Sequence, residues 1–471
     1  MQSQPIAVTH GLRRLARAVW LGLCLAGAVG LASVAGAETV KLSLDQSRII
    51  ARQALMAGNA ALARALAKGL LQADADDPYA LLILTAAETQ LGDPAAGRQA
   101  GRAAWIAARG LPDGLRYDIA RYTALAALQD GRVLPTQFWL RRAVDTAPTS
   151  QARAQTIADY RALRSNTRLR YAIDLSVTPS DNLNDGASSK YLSIDDWFVL
   201  GLLSGSAQAL SGVRADARLR LTYLLRTSAK SQTSLGFSAA ASRNFLSDEA
   251  KLLAPDLRGK DLDQSAAEVS VTQDFLWPQS QHPISLSFAL GQNWAAGQVA
   301  GPYVRAQIST SVFQRERTEI RMEVTTQRAW RTDSLIDANA LSLEGQHHLG
   351  AGAINWGLAV SEVAGTAINQ SYKRGSASLG YRFDKPIGPV TLATSLTASN
   401  SHYEIYQLLG AQLTKGRTDT QFDLSVDMTF QNIGLMGYSP TLSLSRTTTQ
   451  SNVSRFESNG VNISVGITSQ F

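Results

Sequence analysis

Val461-Asn462-Ile463-Ser464-Val465-Gly466-Ile467-Thr468-Ser469-Gln470-Phe471 is the stretch whose reading decides the fold. Val461, Ile463, Val465, Ile467 and Phe471 share one face, with small or polar residues between them. That is the two-residue period of a β-strand apolar on one side only.

The same period runs backwards to about residue 166. Leu169, Tyr171, Ile173, Leu175 and Val177 alternate, as do Val213, Ala215, Ala217, Leu219, Leu221 and Tyr223, and again Phe422, Leu424, Val426, Met428 and Phe430. The positions between them carry charges, among them Asp216, Arg218, Arg220, Asp423 and Asp427. A soluble sandwich turns its apolar face inward, whereas a membrane barrel turns it to lipid and keeps charges in a wet lumen. The connections favour the barrel. Strands are expected to begin near residues 168, 213, 231, 262, 284, 301, 316, 337, 352, 371, 390, 417, 438 and 459. The gaps between them alternate strictly: 178–212, 247–262, 331–337 and 399–417 are long or polar, and 227–232, 314–317, 348–350 and 385–389 are tight. An antiparallel transmembrane barrel over 166–471 follows, with 14 strands as the count and 12 or 16 as the alternatives. Tight turns are expected on the periplasmic side and long loops outside. The closing strand, Val461, Ile463, Val465, Ile467 and Phe471, resembles the signal that the outer-membrane barrel assembly machinery recognises. Trp197, Trp277, Trp294, Trp330 and Trp356 fall near strand ends, where aromatic girdles meet the lipid headgroups.

At the other end, Arg13, Arg14 and Arg17 precede an apolar run from Val19 to Val34, and Ala35 and Ala37 occupy the small-residue cleavage positions. Residues 1–37 therefore read as a secretory signal peptide, with the mature chain beginning near Glu38. The one cysteine, Cys24, lies inside that segment, which leaves no disulfide framework and no cysteine-ligated metal. After it no apolar run is long enough for a membrane helix.

Residues 38–165 are alanine- and leucine-rich at helical spacing. Gly58-Asn59 and Gly92-Asp93 lie 34 residues apart, as do Pro78 and Pro112, and a third unit is marked by Gly131, Ala143 and Pro148. The period is that of tetratricopeptide-like helical hairpins, glycine permitting the turn, alanine the close packing and proline the stop. The concave face of such a stack usually binds another protein, and a rigid spacer or plug is the alternative. This segment holds 16 Lys/Arg against 12 Asp/Glu, while 166–471 is balanced at 26 of each. An excess that small does not point to nucleic acid.

Sites of chemistry are sparse. His282, His347, His348 and His402 have no metal-ligand spacing, and the adjacent pair is placed at a periplasmic turn. No nucleophile elbow or phosphate loop occurs. Asp181-Asn182-Leu183-Asn184-Asp185-Gly186 looks like a calcium loop but lacks the closing acid, so an external turn is expected. Catalytic, cofactor and metal residues are all read as none, and the protein as not an enzyme.

The order of signal peptide, helical repeats and a barrel of about 14 strands resembles the surface lipoprotein assembly modifier family. Asp181-Asn182-Leu183-Asn184 is similar to its motif after strand one, without the serine. Gly437-Tyr438-Ser439-Pro440-Thr441-Leu442-Ser443-Leu444-Ser445 resembles its penultimate strand, Gln450-Ser451-Asn452-Val453 the pair that follows, and Val465–Phe471 its close. The resemblance implies an outer-membrane translocator, with outer-membrane lipid around the barrel, a periplasmic repeat domain, and a client lipoprotein or secreted protein as partner. An exopolysaccharide export porin and a general porin or surface receptor are the alternatives.

Overall fold

The computed structural model describes residues 42–195, 198–277, 282–431, 433–434 and 436–469. Ala35, Ala37 and the rest of segment 1–37 lie outside the described residues, as do Trp197, Gln470 and Phe471. The chain divides into two compact units between Leu163 and Arg164.

The first unit is a run of helices: α1 (Leu44–Met56), α2 (Ala60–Ala73), α3 (Pro78–Gln90), α4 (Pro94–Ala107), α5 (Asp113–Gln129), α6 (Val133–Asp145) and α7 (Ser150–Asn166). The hairpin turns carry Gly58, Gly92 and Gly131 at φ of 79°, 89° and 69°, where a side chain would be strained. The buried faces are largely alanine: Ala51, Ala63, Ala67, Ala87, Ala104, Ala120 and Ala127 are fully enclosed. Small side chains let neighbouring helices approach closely, and each hairpin's first helix packs against the first helix of the next. Proline acts differently from the sequence-based expectation. Pro78 and Pro94 open α3 and α4 at the first turn, behind N-caps Asp77 and Asp93, and Pro112 is itself the N-cap of α5. Its missing N–H costs nothing there, since those donors have no partner within the helix. So the prolines start the next pair as well as ending the last.

The second unit is a closed antiparallel barrel of 14 strands. In chain order these are β1 (Leu169–Ser180), β4 (Gly212–Thr227), β5 (Ser231–Leu246), β6 (Gln264–Leu276), β7 (Pro283–Ala295), β8 (Gln298–Arg315), β9 (Thr318–Trp330), β10 (Leu335–Leu349), β11 (Gly352–Gly365), β12 (Tyr372–Phe383), β13 (Val390–Tyr403), β16 (Arg417–Phe430), β17 (Tyr438–Ser451) and β18 (Ser458–Ser469). Every neighbour is a sequence neighbour except at closure, where β1 pairs with β18. Two small hairpins stand apart in loops: β2 (Tyr191–Ile194) with β3 (Phe198–Leu202), and β14 (Gln407–Leu408) with β15 (Ala411–Gln412).

Alternation sets the two faces of the wall. Along β18 the apolar Val461, Ile463, Val465 and Ile467 are the exposed positions, and Asn462, Ser464, Gly466 and Thr468 between them are the shielded ones. Leu358 and Leu379 are 52% and 59% exposed on the same outer face. Register is pinned by large rings lying over facing glycines. Tyr303 covers Gly291 and Trp356 covers Gly345, each directly across a strand pair, and a Cβ on either glycine would run into the ring.

All 14 strands start within three residues of the expected positions. The alternation of connection lengths is not strict, however. Loops 181–211, 247–263 and 404–416 do crowd one end, but that end also holds the two-residue turn Ala296-Gly297. Both of its residues are at positive φ, 52° and 76°, as a tight turn between twisted strands requires. At the other end 384–389 and 431–437 are longer than tight turns. His347 and His348 are likewise not in a turn but are the closing residues of β10, where their strand pairing continues to Ile354 and Ala353.

Candidate functional site

The inner wall carries polar and charged side chains, and small hydroxyl residues are most regular on β17. β17 contributes an unbroken inward row of hydroxyls: Ser439, Thr441, Ser443, Ser445, Thr447, Thr449 and Ser451. Beside it β16 contributes Asp419, Asp423 and Asp427. At four-residue steps, these carboxylates recur about every 13 Å along the strand. Each accepts a hydroxyl hydrogen bond across the pair, from Ser451 (2.7 Å), Thr447 (2.7 Å) and Ser443 (2.5 Å). Gln421 and Ser425, from the same strand, add donors to Asp423 and Asp427. Hydrogen bonds from both strands fix the carboxylates in place along the wall.

The wall of β1 and β4 is basic by contrast, with Arg170, Arg214, Arg218 and Arg220 on the inward register. Arg220 pairs with Asp174 at 2.9 Å and Arg214 with Asp216 at 3.1 Å, while Ser242 also donates to Asp216. Farther round, Glu268 accepts from Tyr303 (2.8 Å) and Arg305 (2.5 Å). A cavity of about 870 Å³ opens against the basic wall, lined among others by Asp174, Arg214, Asp216, Arg218, Ser242 and Thr441. Charged groups of both signs with hydroxyl partners make this an interior suited to water and polar solutes.

At the long-loop end the mouth is built from side chains that tie loops to the wall. The Arg417 guanidinium lies 3.2 Å from the ring centroid of Phe456, 4.3 Å from Tyr403 and 5.1 Å from Tyr406, and it is paired with Asp419 at 2.5 Å. Aromatic faces and a carboxylate together enclose the cation, so loops 404–416 and 452–457 are held to β13 and β16. Asn369 exchanges two hydrogen bonds with the backbone of Gln407, fastening the same loop to 366–371.

The Asp181–Gly186 segment is a knot within the first loop. Asn182 and Gly186 bond reciprocally, Asn184 donates to the carbonyls of Ser206 and Gln208 and accepts from Leu210 N–H, and Asp181 accepts from Val461 N–H. Leu183 packs with Leu210, Leu246, Ala250 and Ala254 in a small apolar cluster that includes the loop helix α8 (Asp248–Leu253). The amides of Asn182 and Asn184 and one oxygen of Asp181 are spent on backbone partners, the work of a turn.

Of the residues singled out in the sequence, Val461, Ile463, Val465 and Ile467 are brought together on the outer face of β18. The row Asp419–Asp423–Asp427 had a legible signal in its even spacing on the inward beat. The Arg417 enclosure had none, because its members come from four separate segments.

No protein-family model matches the chain, and no curated protein matches it. Among solved structures, the barrel is similar to a bacterial polysaccharide outer membrane secretin at 10% identity and TM-score 0.35, over 64% of this chain and 98% of that one. It is similar to an outer membrane channel from Pseudomonas putida F1 at 10% identity and TM-score 0.33, over 63% and 95%. The helices are similar to the type III secretion translocator chaperone SycD of Yersinia enterocolitica at 15% identity and TM-score 0.24, over 26% and 88%. Likeness at this level extends to neither mechanism nor cargo.

Proposed function

We propose that the protein is an outer-membrane translocator that moves a client lipoprotein or secreted protein through or onto the outer membrane. One observation carries the membrane half of this reading: the barrel is apolar outside and charged inside. Val461, Ile463 and Val465 on β18, like Leu424 on β16, are about half exposed, while Asp423 and Asp427 face the lumen. In water such a wall would expose a continuous apolar belt, and lipid removes that cost. The long-loop end then faces outward, and the end where β1 begins faces the periplasm together with the helical unit. Residues 1–37 serve as the export signal, cut before Glu38 with Ala35 and Ala37 as the small residues at the cleavage positions, and the closing strand with Phe471 as the insertion signal read by the assembly machinery.

The transport half is supported by the resemblance to the surface lipoprotein assembly modifiers and by the polar wall. An extended client presents unpaired peptide groups, and the hydroxyl row of β17 offers donors and acceptors to them without binding any one sequence. A second reading, polysaccharide export, is favoured by one observation, the acid row of β16 beside those hydroxyls, since sugar hydroxyls match both. Deleting the gene and labelling surface proteins separates the two. Loss of one lipoprotein or secreted protein from the surface, with its periplasmic level maintained, supports the translocator. An unchanged surface proteome with loss of a surface polymer overturns it.

A further inference from the structure

The helical unit holds a cluster of two cations on one set of rings. Trp105 on α4 and Trp139 on α6 meet edge to face, with centroids 5.6 Å apart, and Phe138 meets Trp139 the same way at 5.5 Å. The Arg116 guanidinium, from α5, lies 4.6 Å from the Trp105 centroid. The Arg142 guanidinium lies 4.8 Å from Trp105, 4.5 Å from Phe138 and 5.3 Å from Trp139.

Several other arginines of this unit are closely matched to carboxylates, as in Arg48–Asp77 (2.8 Å), Arg98–Asp130 (3.1 Å) and Arg121–Asp159 (2.5 Å). The two arginines on Trp105 are matched less closely. Arg116 reaches only Asp113, at 3.7 Å, and its Nε is buried without a hydrogen-bond partner. Arg142 has no carboxylate within 4.0 Å among the described residues. Burial first, then repulsion from Arg116, holds its pKa below the ordinary arginine value, with Asp145 opposing. Two like charges packed on one indole gain from any anion that enters between them, and guanidinium forks bind carboxylates in two-point fashion. Phe138 and Leu134 stand exposed nearby, 40% and 47%, and offer apolar contact beside the charges.

We propose that Arg116 and Arg142, held over Trp105, form a docking point for the carboxylates of an acidic, partly apolar stretch of the client polypeptide. The inference rests on the reading that the helical unit receives a protein client, and it adds the chemistry by which that client is recognised. The apolar rim distinguishes such a peptide from a free phosphate, which gains nothing from Phe138 or Leu134.

The test uses the full chain in detergent and a fluorescent hexapeptide of alternating glutamate and leucine, with its lysine–leucine counterpart and inorganic phosphate as controls. Saturable binding of the acidic peptide is expected, weakened by salt, and weakened about tenfold in Arg116→Gln or Arg142→Gln, since a charge-assisted bond is lost. Arg142→Lys, which keeps the charge but not the flat fork, is expected between wild type and Arg142→Gln and covers the case that the neutral variant misfolds. Arg161→Gln, at an exposed arginine of α7, is expected to bind as wild type. Equal binding by wild type, Arg116→Gln and Arg142→Lys overturns the proposal, as does competition by phosphate at the peptide's own concentration. The outcome is separable from the deletion experiment: peptide binding with an unchanged surface proteome would sink the translocator and leave the docking site standing.

Discussion

Alanine is buried in the helical unit and leucine is exposed in the barrel. Ala63, Ala67 and Ala104 have no accessible surface, whereas Leu290, Leu358 and Leu379 are more than half accessible. The two units sort their residues by one rule, that apolar groups leave water, and reach opposite arrangements because their surroundings differ. The helices fold around a core of methyl groups. Among the described residues the barrel's apolar cluster is the small one under its loops around Leu183 and Leu210, and the inside of the wall carries hydrogen-bonded hydroxyls, carboxylates and guanidinium groups. Charge placed on the outside of one unit is harmless; placed on the outside of the other it is severe.

The contrast is breakable in order of size. Leu358→Arg, on the outer face between Leu343 and Ala377, is expected to cost about 2–4 kcal/mol, the cost of a guanidinium at mid-membrane depth. Unfolding in lipid vesicles measures it. Ser376→Arg, one strand position inside, is expected to be nearly silent, and an equal penalty would show that the faces are misassigned. Ala104→Leu in the helical unit is expected to lower stability by about 1–3 kcal/mol through overpacking, read from the melting of helical circular dichroism. Asn184→Ala is expected to release loop 181–211 at about 1–3 kcal/mol, through the unpaired backbone groups it leaves. Protease cleavage of that loop on intact cells, with the barrel itself still resistant, is the check.

The smallest effect concerns pH. Burial raises the Asp118 carboxyl above its ordinary 3.8, with Arg52 partly offsetting it. The folded state therefore binds the proton more tightly than the unfolded state, and stability from this group is lost as pH rises from 3.8 through the raised value. Because the side chain is solvent-accessible, the effect is small. Asp118→Asn is expected to melt slightly higher than wild type at pH 7, by less than about 1 kcal/mol, and equally at pH 3. A lower melting point at pH 7 would make the Arg52 attraction the larger influence.

Much of the barrel was legible because an apolar outer face and a polar inner face impose alternation along each barrel strand between Leu169 and Ser469. A slip of one position would turn a whole strand inside out, so the pattern holds along each strand apart from single shifts near the ends of the β4–β5, β7–β8 and β8–β9 pairings. The hairpin glycines of the helical unit were legible for the same kind of reason, since positive φ admits few residues. The loops obey no period. The β2–β3 hairpin, the α8 helix and the Arg417 enclosure depend on contacts between segments far apart in sequence, and the Ala296-Gly297 turn violates the rule of long outer loops without harm to the barrel. The Trp105 cluster was hidden too: Trp105, Arg116 and Arg142 are ordinary helix residues until three helices bring them together.

The central claim is that this wall spans the outer membrane with its long loops outside. Cys24 is the sole cysteine of the sequence and lies within segment 1–37, so single cysteines can be placed elsewhere at will. Cysteine at Leu252, on the loop helix, is expected to react with a membrane-impermeant maleimide on intact cells. Cysteine at Gly350, in the turn between β10 and β11, is expected to react only after the outer membrane is opened. Labelling of Gly350 but not Leu252 on intact cells would invert the topology, and protection of both would contradict the account altogether.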